Sequence, residues 1–219
     1  MTASIAEQLS ANSVADADGI WITSPDTGHT ISWFQVEKRS RAIACHLDAL
    51  CLPEGAAIAI ASPNSIGATL CFTGITFGGY LATPLNLVAG AKVLSYVLDH
   101  SKAAVVFCAD ECRELIDESL AEVDHDVTII RLDLEAGPDW SDQSGEEEVP
   151  RYTPQADTPG LLMYTSGTTG RPKGVVMSHS NLMAAGKNVV IGHNIDPRDT
   201  AMCVLPIYHI NGLCVTVLG

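Results

Sequence analysis

Apolar and polar positions follow two patterns along the chain, one with helical spacing and one with short continuous apolar runs. Residues 31–50 place apolar side chains at mostly helical spacing with charged residues between them, which predicts an amphipathic helix. Residues 56–61 (AAIAIA) form a short apolar run bounded by turn residues, which is typical of a strand covered on both faces. Residues 62–64 then offer caps for a helix that we expect to extend to about Tyr80.

Helices and strands continue to alternate through the middle of the chain. A helix is predicted over Ala91–His100 and a strand over Ala104–Cys108. Asp110 is expected to cap an amphipathic helix (ECRELIDESLAEV), and residues 127–133 form the next apolar strand. Strands joined by helices of this length need crossover connections, which predicts an α/β fold with a mainly parallel sheet flanked by helices.

A polar segment divides the chain into two parts. Residues 135–148 (EAGPDWSDQSGEEE) are rich in Gly, Ser and carboxylates, which predicts a solvated loop, and residues 161–166 (LLMYTS) form the next strand. We therefore expect a first α/β subdomain over 1–150 and the start of a second over 151–219. Residues 201–219 are almost wholly apolar, so we expect further polypeptide to cover them and the chain to be a fragment.

Composition narrows the classes of protein. Twelve Lys and Arg against 26 Asp and Glu give a formal net charge of −14, which argues against nucleic acid as a partner. Seven Cys, mostly in apolar segments, indicate buried, reduced thiols, and Cys108 with Cys112 lack a second pair at metal-ligand spacing. No Lys or Arg precedes Lys38, so a cytoplasmic location is expected. The uncharged stretch 55–91 is broken by Pro, Asn and Gly, so no membrane span is expected.

The most informative stretch is a loop directly after the predicted strand, YTSGTTGRPKGV at residues 164–175. It combines three glycines, which permit positive backbone torsions and close approach of main-chain N–H groups, with three hydroxyl donors and a mobile lysine charge. These residues are Gly167, Gly170, Gly174, Ser166, Thr168, Thr169 and Lys173. This density favours a polyphosphate-binding loop over a plain glycine-rich turn. The usual P-loop pattern does not fit, because Gly follows the Lys where Ser or Thr is required.

YTSGTTGRPKGV resembles the signature of the adenylate-forming (AMP-binding) superfamily, which contains acyl-CoA synthetases, luciferases and the adenylation domains of peptide synthetases. The similarity covers nearly the whole chain. It extends to SWFQVEKRSRAIACHL, GAAIAIASPNS, GGYLATPLNLVAGAKVLSYVLDHSKAAVVF and LPIYHINGL. The resemblance implies that the chain is the N-terminal part of the large domain of an adenylate-forming enzyme.

The resemblance also implies the reaction and its nucleotide site. In this family ATP and a carboxylate give an acyl-adenylate and pyrophosphate, the C-terminal domain rotates, and a thiol then takes the acyl group. By position, Lys173 would steady the departing pyrophosphate as a catalytic residue, and Thr168 or Thr169 would lie near Mg²⁺. The implied residues for the ATP phosphates are Thr165, Ser166, Gly167, Thr168, Thr169, Gly170 and Lys173.

The segment LPIYHINGL resembles the family motif in which a His or an aromatic residue borders the acyl pocket. It implies that His209 is a second catalytic residue, beside the carboxylate to be activated, with Tyr208, Asn211 and Gly212 as neighbours. A buried packing residue is the other interpretation of a His in an apolar segment. The polar His209 and Asn211 favour a small or polar acid. His179 and His193 are expected to be helix-terminal or structural.

Three classes of function stay open. The leading hypothesis is an acid–thiol ligase that uses ATP, Mg²⁺ and coenzyme A, and the other two are an adenylation domain that loads a carrier protein and a non-catalytic nucleotide-binding fragment. The family's adenine-binding loop, Mg²⁺-binding Glu, ribose-binding Asp and C-terminal Lys have no counterpart here. We therefore expect the chain alone to be unable to complete adenylation. The sequence does not determine the oligomeric state, and a homo-oligomer stays open.

Overall fold

Helices and strands alternate along the chain, and a computed structural model describes residues 3–139, 149–165 and 171–219. The strands are β1 (Ile20–Thr23), β2 (Thr30–Ser32), β3 (Ala57–Ala61), β4 (Leu81–Pro84), β5 (Val105–Ala109), β6 (Thr128–Asp133), β7 (Gly137–Pro138), β8 (Pro159–Thr165) and β9 (Lys173–Ser178). The α-helices are α1 (Ile5–Ala15), α2 (Trp33–Ala49), α3 (Ile66–Phe77), α4 (Ala91–Ser101), α5 (Arg113–Leu120) and α6 (His179–His193). Two 3₁₀ turns (Leu87–Ala89 and Asp110–Cys112) and a π-helix (Asn211–Val217) complete these elements.

Seven of the strands form one sheet in the order β7-β6-β5-β3-β4-β8-β9, and β1 and β2 form a separate antiparallel pair. The strands from β6 to β8 in this order are parallel, whereas β7 and β9 are antiparallel to their neighbours. The predicted α/β fold with a mainly parallel sheet is confirmed. Strand β8 joins the earlier strands by pairing Leu161 with Ala82. The division into subdomains 1–150 and 151–219 stays a prediction.

Helices cover both faces of the sheet. On one face α1, α2 and α3 contribute Leu9, Ile43 and Phe72 to a buried apolar cluster, and on the other face α4 and α5 contribute Leu98 and Ile116 to a second. Strands β3 and β5 lie between the two clusters and are buried along their whole length. This is why the apolar run at residues 56–61 shows no alternation with polar residues.

Helix α3 differs from its predicted bounds at both ends. It begins at Ile66, and the hydroxyl of Ser65, rather than a side chain of residues 62–64, accepts a hydrogen bond from the backbone N–H of Ala68. It ends at Phe77 rather than near Tyr80, because two glycines follow and Gly79 has a φ of +73°.

The predicted capping role of Asp110 is wrong. Asp110 begins a 3₁₀ turn, and helix α5 starts three residues later without a side-chain cap. The carboxylate of Asp110 instead accepts hydrogen bonds from Nε and Nη2 of Arg131, at 3.0 and 2.8 Å. This ion pair holds the pKa of Asp110 below its usual range. The sequence pattern did not indicate that Arg131 competes with the helix end for the Asp110 carboxylate, because Arg131 belongs to the neighbouring strand β6.

The cysteines are predicted from the sequence to be buried and reduced. All seven cysteines are free, as expected, but only Cys71, Cys108, Cys112 and Cys214 are buried, and Cys51 is exposed.

The uncharged stretch 55–91 is divided among β3, α3 and β4. Within the described part of the chain, no helix has the length and apolar character needed to cross a bilayer.

Candidate nucleotide and acyl site

The carboxyl ends of the parallel strands lie at one edge of the sheet. Ala61, Pro84, Ala109 and Thr165 end β3, β4, β5 and β8 at this edge. Strand β9 runs in the opposite direction, so Lys173 begins it at the same edge, directly opposite Thr165. Both ends of the predicted phosphate loop therefore lie where open α/β sheets bind their ligands.

The phosphate loop itself lies outside the described residues. The predictions for Ser166, Gly167, Thr168, Thr169 and Gly170 accordingly stay predictions. The residues that flank the loop, Thr165, Arg171 and Lys173, are exposed. Among the residues described here, no carboxylate forms an ion pair with Arg171 or Lys173. In a chain with a formal charge of −14, two cations without such a partner favour an anionic ligand.

A hydrogen bond ties the stem of this hairpin to helix α4. The hydroxyl of Tyr164 in β8 lies 2.8 Å from Nδ1 of His100, and the two rings meet edge-on with centroids 5.7 Å apart. Burial raises the pKa of Tyr164 to about 12. The contact between Tyr164 and His100 holds β8 in place one residue before Thr165.

Gly174 does not adopt the positive backbone torsion that the sequence analysis allowed for, whereas close approach of its N–H to a ligand stays a prediction. It belongs to β9, opposite Tyr164, and its φ is not positive. A Cβ at this position would lie 3.0 Å from Cδ1 of Leu162 and 3.5 Å from the ring of Tyr164. Of these contacts, only the one with the end of the Leu162 side chain is shorter than an ordinary van der Waals contact.

The predicted acyl-pocket residues, 208–212, lie together in the turn that leads into the π-helix. The backbone N–H of His209 donates to the carbonyl of Pro206 at 2.9 Å, and Gly212 is buried so closely that a Cβ would lie 2.3 Å from that carbonyl oxygen. Nδ1 of His209 accepts from the N–H of Asn211 at 3.4 Å. His209 and Asn211 are exposed, and Tyr208 is half-buried. His209 is therefore not a buried packing residue within these 219 residues.

Asn64, which the sequence analysis named only among the candidate helix caps, anchors this segment. It follows β3, and its side-chain amide hydrogen-bonds the backbone of Leu205 and Ile207 at 2.8 and 2.9 Å. The sequence pattern indicated a helix cap at residues 62–64, and nothing in it pointed to a contact with residues 205–207.

The structure brings the predicted residues together in two groups. Thr165 faces Lys173 across the hairpin, and residues 208–212 share one turn. No hydrogen bond or salt bridge between described residues joins the two groups. His179 and His193 are the first and last residues of α6, as expected. In residues 3–139, 149–165 and 171–219, no three His, Cys, Asp or Glu side chains cluster as metal ligands.

A mainly parallel α/β sheet with an exposed, cationic hairpin at its carboxyl edge is the architecture of a nucleotide-binding protein. The family of AMP-binding enzymes matches residues 9–219, and the chain belongs to this family.

Curated relatives of the chain are CoA ligases. Sulfoacetate–CoA ligase from Cupriavidus necator is 34% identical over 207 residues, which is 92% of this chain and 40% of the relative. 4-Coumarate–CoA ligase 1 from Petroselinum crispum is 30% identical over 197 residues, or 85% of this chain and 36% of the relative. Long-chain-fatty-acid–CoA ligase FadD13 from Mycobacterium tuberculosis is 28% identical. The chain thus spans 40% or less of the length of these relatives.

Solved structures share the fold. The inhibitor-bound N-terminal domain of FACL13 from Mycobacterium tuberculosis superimposes with a TM-score of 0.85 at 25% identity, over 99% of this chain and 54% of that one. ATP-bound MatB from Rhodopseudomonas palustris gives a TM-score of 0.82 at 27% identity, over 99% of this chain and 43% of MatB.

Proposed function

We propose that this chain is the N-terminal part of an acid–CoA ligase that activates a carboxylic acid as its acyl-adenylate with ATP and transfers the acyl group to coenzyme A. The observation that carries the proposal is the pairing of Thr165 with Lys173, since it puts both ends of the signature segment at the carboxyl edge of the sheet. The names of the relatives support coenzyme A as the acceptor.

In the first half-reaction a carboxylate oxygen attacks the α-phosphorus of ATP, and the bond from that phosphorus to the bridging oxygen breaks. Pyrophosphate leaves with the bonding electrons, so negative charge grows on it. The ammonium of Lys173 and the hydroxyl of Thr165 would donate to its oxygens, together with the loop residues 166–170. Each charge-assisted hydrogen bond contributes about 1.5–3 kcal/mol, and donors already in place need no reorganisation.

Mg²⁺ would neutralise phosphate charge at this site when bound. Mg²⁺ in nucleotide sites is usually held by one or two protein oxygens together with the substrate phosphates. The hydroxyls of Thr168 and Thr169 are the proposed protein ligands.

In the second half-reaction the thiol sulfur of coenzyme A attacks the acyl carbonyl carbon, and AMP leaves with the bonding electrons. We propose that His209, with Tyr208, Asn211 and Gly212, borders the acid. The polar side chains of His209 and Asn211 favour a small or polar acid, and the name of the relative from Cupriavidus necator agrees with this choice.

The proposal is tested in the complete enzyme with ATP, Mg²⁺ and a panel of sulfoacetate, 4-coumarate and palmitate. We expect acid-dependent release of pyrophosphate, and a thioester of coenzyme A that mass spectrometry identifies. Absence of acid-dependent release with every acid would contradict adenylate formation. Release without a CoA thioester, but with acylation of a carrier protein, would replace coenzyme A by a carrier as the acceptor.

A further inference from the structure

Asn64 connects two distant parts of the chain at the carboxyl edge of the sheet. Its Nδ2 donates to the carbonyl of Leu205 at 2.8 Å and, at 3.4 Å, to that of Cys203. Its Oδ1 accepts from the backbone N–H of Ile207 at 2.9 Å. These partners lie 139 to 143 residues further along the chain. The contact therefore reflects tertiary structure rather than local turn geometry.

The side chain of Asn64 suits this contact chemically. A carboxamide presents a donor and an acceptor side by side, so it can pair with a backbone carbonyl and a backbone N–H at once, as a neighbouring strand does. An aspartate keeps the acceptor but loses the donor, and an alanine loses both.

Asn64 is itself held on both sides. It follows β3, which is buried along its whole length, and precedes Ser65, whose hydroxyl caps α3 at 3.0 Å. Its backbone cannot move without disturbing a buried strand or a helix cap. It therefore offers a fixed point to the segment that it binds.

The anchored segment leads directly to the predicted acyl-pocket residues. The side chain of Ile207 is 3% exposed, whereas Leu205, two residues earlier, is 49% exposed. The backbone N–H of His209 donates to the carbonyl of Pro206, inside the stretch that Asn64 spans. The hydrogen bonds between Asn64 and residues 205 and 207 thus set the position of the turn that carries Tyr208 and His209.

We infer that Asn64 is the positioning residue of the acyl-binding segment, and that its side-chain amide fixes the backbone from which Tyr208 and His209 project. The effect on the acid rests on the proposed function, whereas the effect on the backbone does not. Loss of the amide should therefore loosen residues 203–209 and weaken use of the acid more than use of ATP.

The first experiment measures deuterium exchange in peptides covering residues 203–209 of the complete enzyme. Without the acceptor for the Ile207 N–H, exchange in Asn64→Ala should be about tenfold faster or more, the effect of losing a hydrogen bond of roughly 1.4 kcal/mol. Asn64→Asp should exchange at a rate between the two, because it keeps Oδ1. Asn12→Ala is the matched control, since the Asn12 side chain accepts only a local hydrogen bond from Gln8. Unchanged exchange in Asn64→Ala would overturn the inference.

The second experiment measures pyrophosphate release with the panel acid that the unmodified enzyme uses best. Asn64→Ala should raise KM for this acid about five- to tenfold and leave KM for ATP within about twofold, as for lost binding of one substrate. A merely structural role would lower the active fraction or shift both KM values equally, and that result would overturn the inference. If no acid supports release, the proposed function fails, while the exchange experiment still decides the placement of the segment.

Discussion

Tyr164 and Gly174 lie opposite each other across the β8–β9 hairpin, and a Cβ at residue 174 would lie 3.5 Å from the ring of Tyr164 and 3.0 Å from Cδ1 of Leu162. A valine there would press on Leu162 and Tyr164. We expect Gly174→Val to lower the free energy of unfolding by about 1–3 kcal/mol, the usual cost of overpacking. Urea unfolding of the complete enzyme measures the change.

Gly192→Ala is the control for Gly174→Val. Gly192 lies in α6, and a Cβ there would meet no atom within 4 Å. Alanine should therefore be neutral or should stabilise the helix by up to about 1 kcal/mol. Equal stability of Gly174→Val and the unmodified protein would show that the hairpin yields to the extra volume.

Lys173 is expected to act on the chemical step rather than on folding. Because it is exposed and forms no ion pair among the described residues, Lys173→Ala should leave the free energy of unfolding nearly unchanged. It should lower kcat for pyrophosphate release by about a hundredfold, the usual effect of removing one donor to a developing negative charge. Lys187→Ala, at an exposed position in α6, should retain full activity. An unaffected kcat in Lys173→Ala would remove the lysine from the proposed chemistry.

His179 should make stability depend on pH. It is fully buried, its Nδ1 accepts from the N–H of Ile5 at 3.1 Å, and burial lowers its pKa to about 4. An unfolded histidine titrates near about 6.5, so the folded state binds fewer protons between these values and its stability rises with pH. The contribution is complete above about pH 6.5 and is lost as the pH falls to about 4, in total on the order of 3 kcal/mol.

Urea unfolding at several pH values between 4 and 7.5 checks this dependence. His179→Asn removes the titrating group while offering an amide near the position of Nδ1, so the slope of stability against pH should flatten. His193→Asn, at the exposed C-terminal end of α6, should keep the slope. An unaltered slope in His179→Asn would assign the dependence to other groups.

The 219-residue chain alone should form no acyl-adenylate, because it spans only 36–40% of the length of these CoA-ligase relatives and the family resemblance implies that adenine, ribose and C-terminal residues are also needed. Incubation with ATP, Mg²⁺ and the acid panel, followed by mass spectrometry, measures the product. Detection of an acyl-adenylate at rates above the uncatalysed reaction would contradict this prediction.

Elements with a strong local pattern were predictable from the sequence. β3 is an apolar run between turn residues, and α4 follows its predicted bounds to within one residue. α1 was not predicted, although Ser4 and Glu7 form a capping box at its start. Its only buried apolar residues are Ile5 and Leu9, so periodicity gave a weak signal.

The candidate site was predictable only where one segment carries it. The signature at residues 164–175 indicated the phosphate loop, since its donors lie close together in the sequence. The roles of Asn64, His100 and Gly174 depend on partners in other segments of the chain, and no local pattern reveals such partners. The capping prediction for Asp110 failed for the same reason, because Arg131 on the next strand binds its carboxylate instead.

The outer strand β9 has a consequence for handling the protein. In the part of the chain that the structure describes, no strand pairs with its free side, and Val175 and Val176 are 44% and 56% exposed. An open strand edge with β-branched side chains templates pairing between separate molecules. Concentrated solutions of the isolated 219-residue chain should therefore form oligomers through this edge, and dynamic light scattering across a dilution series would reveal them.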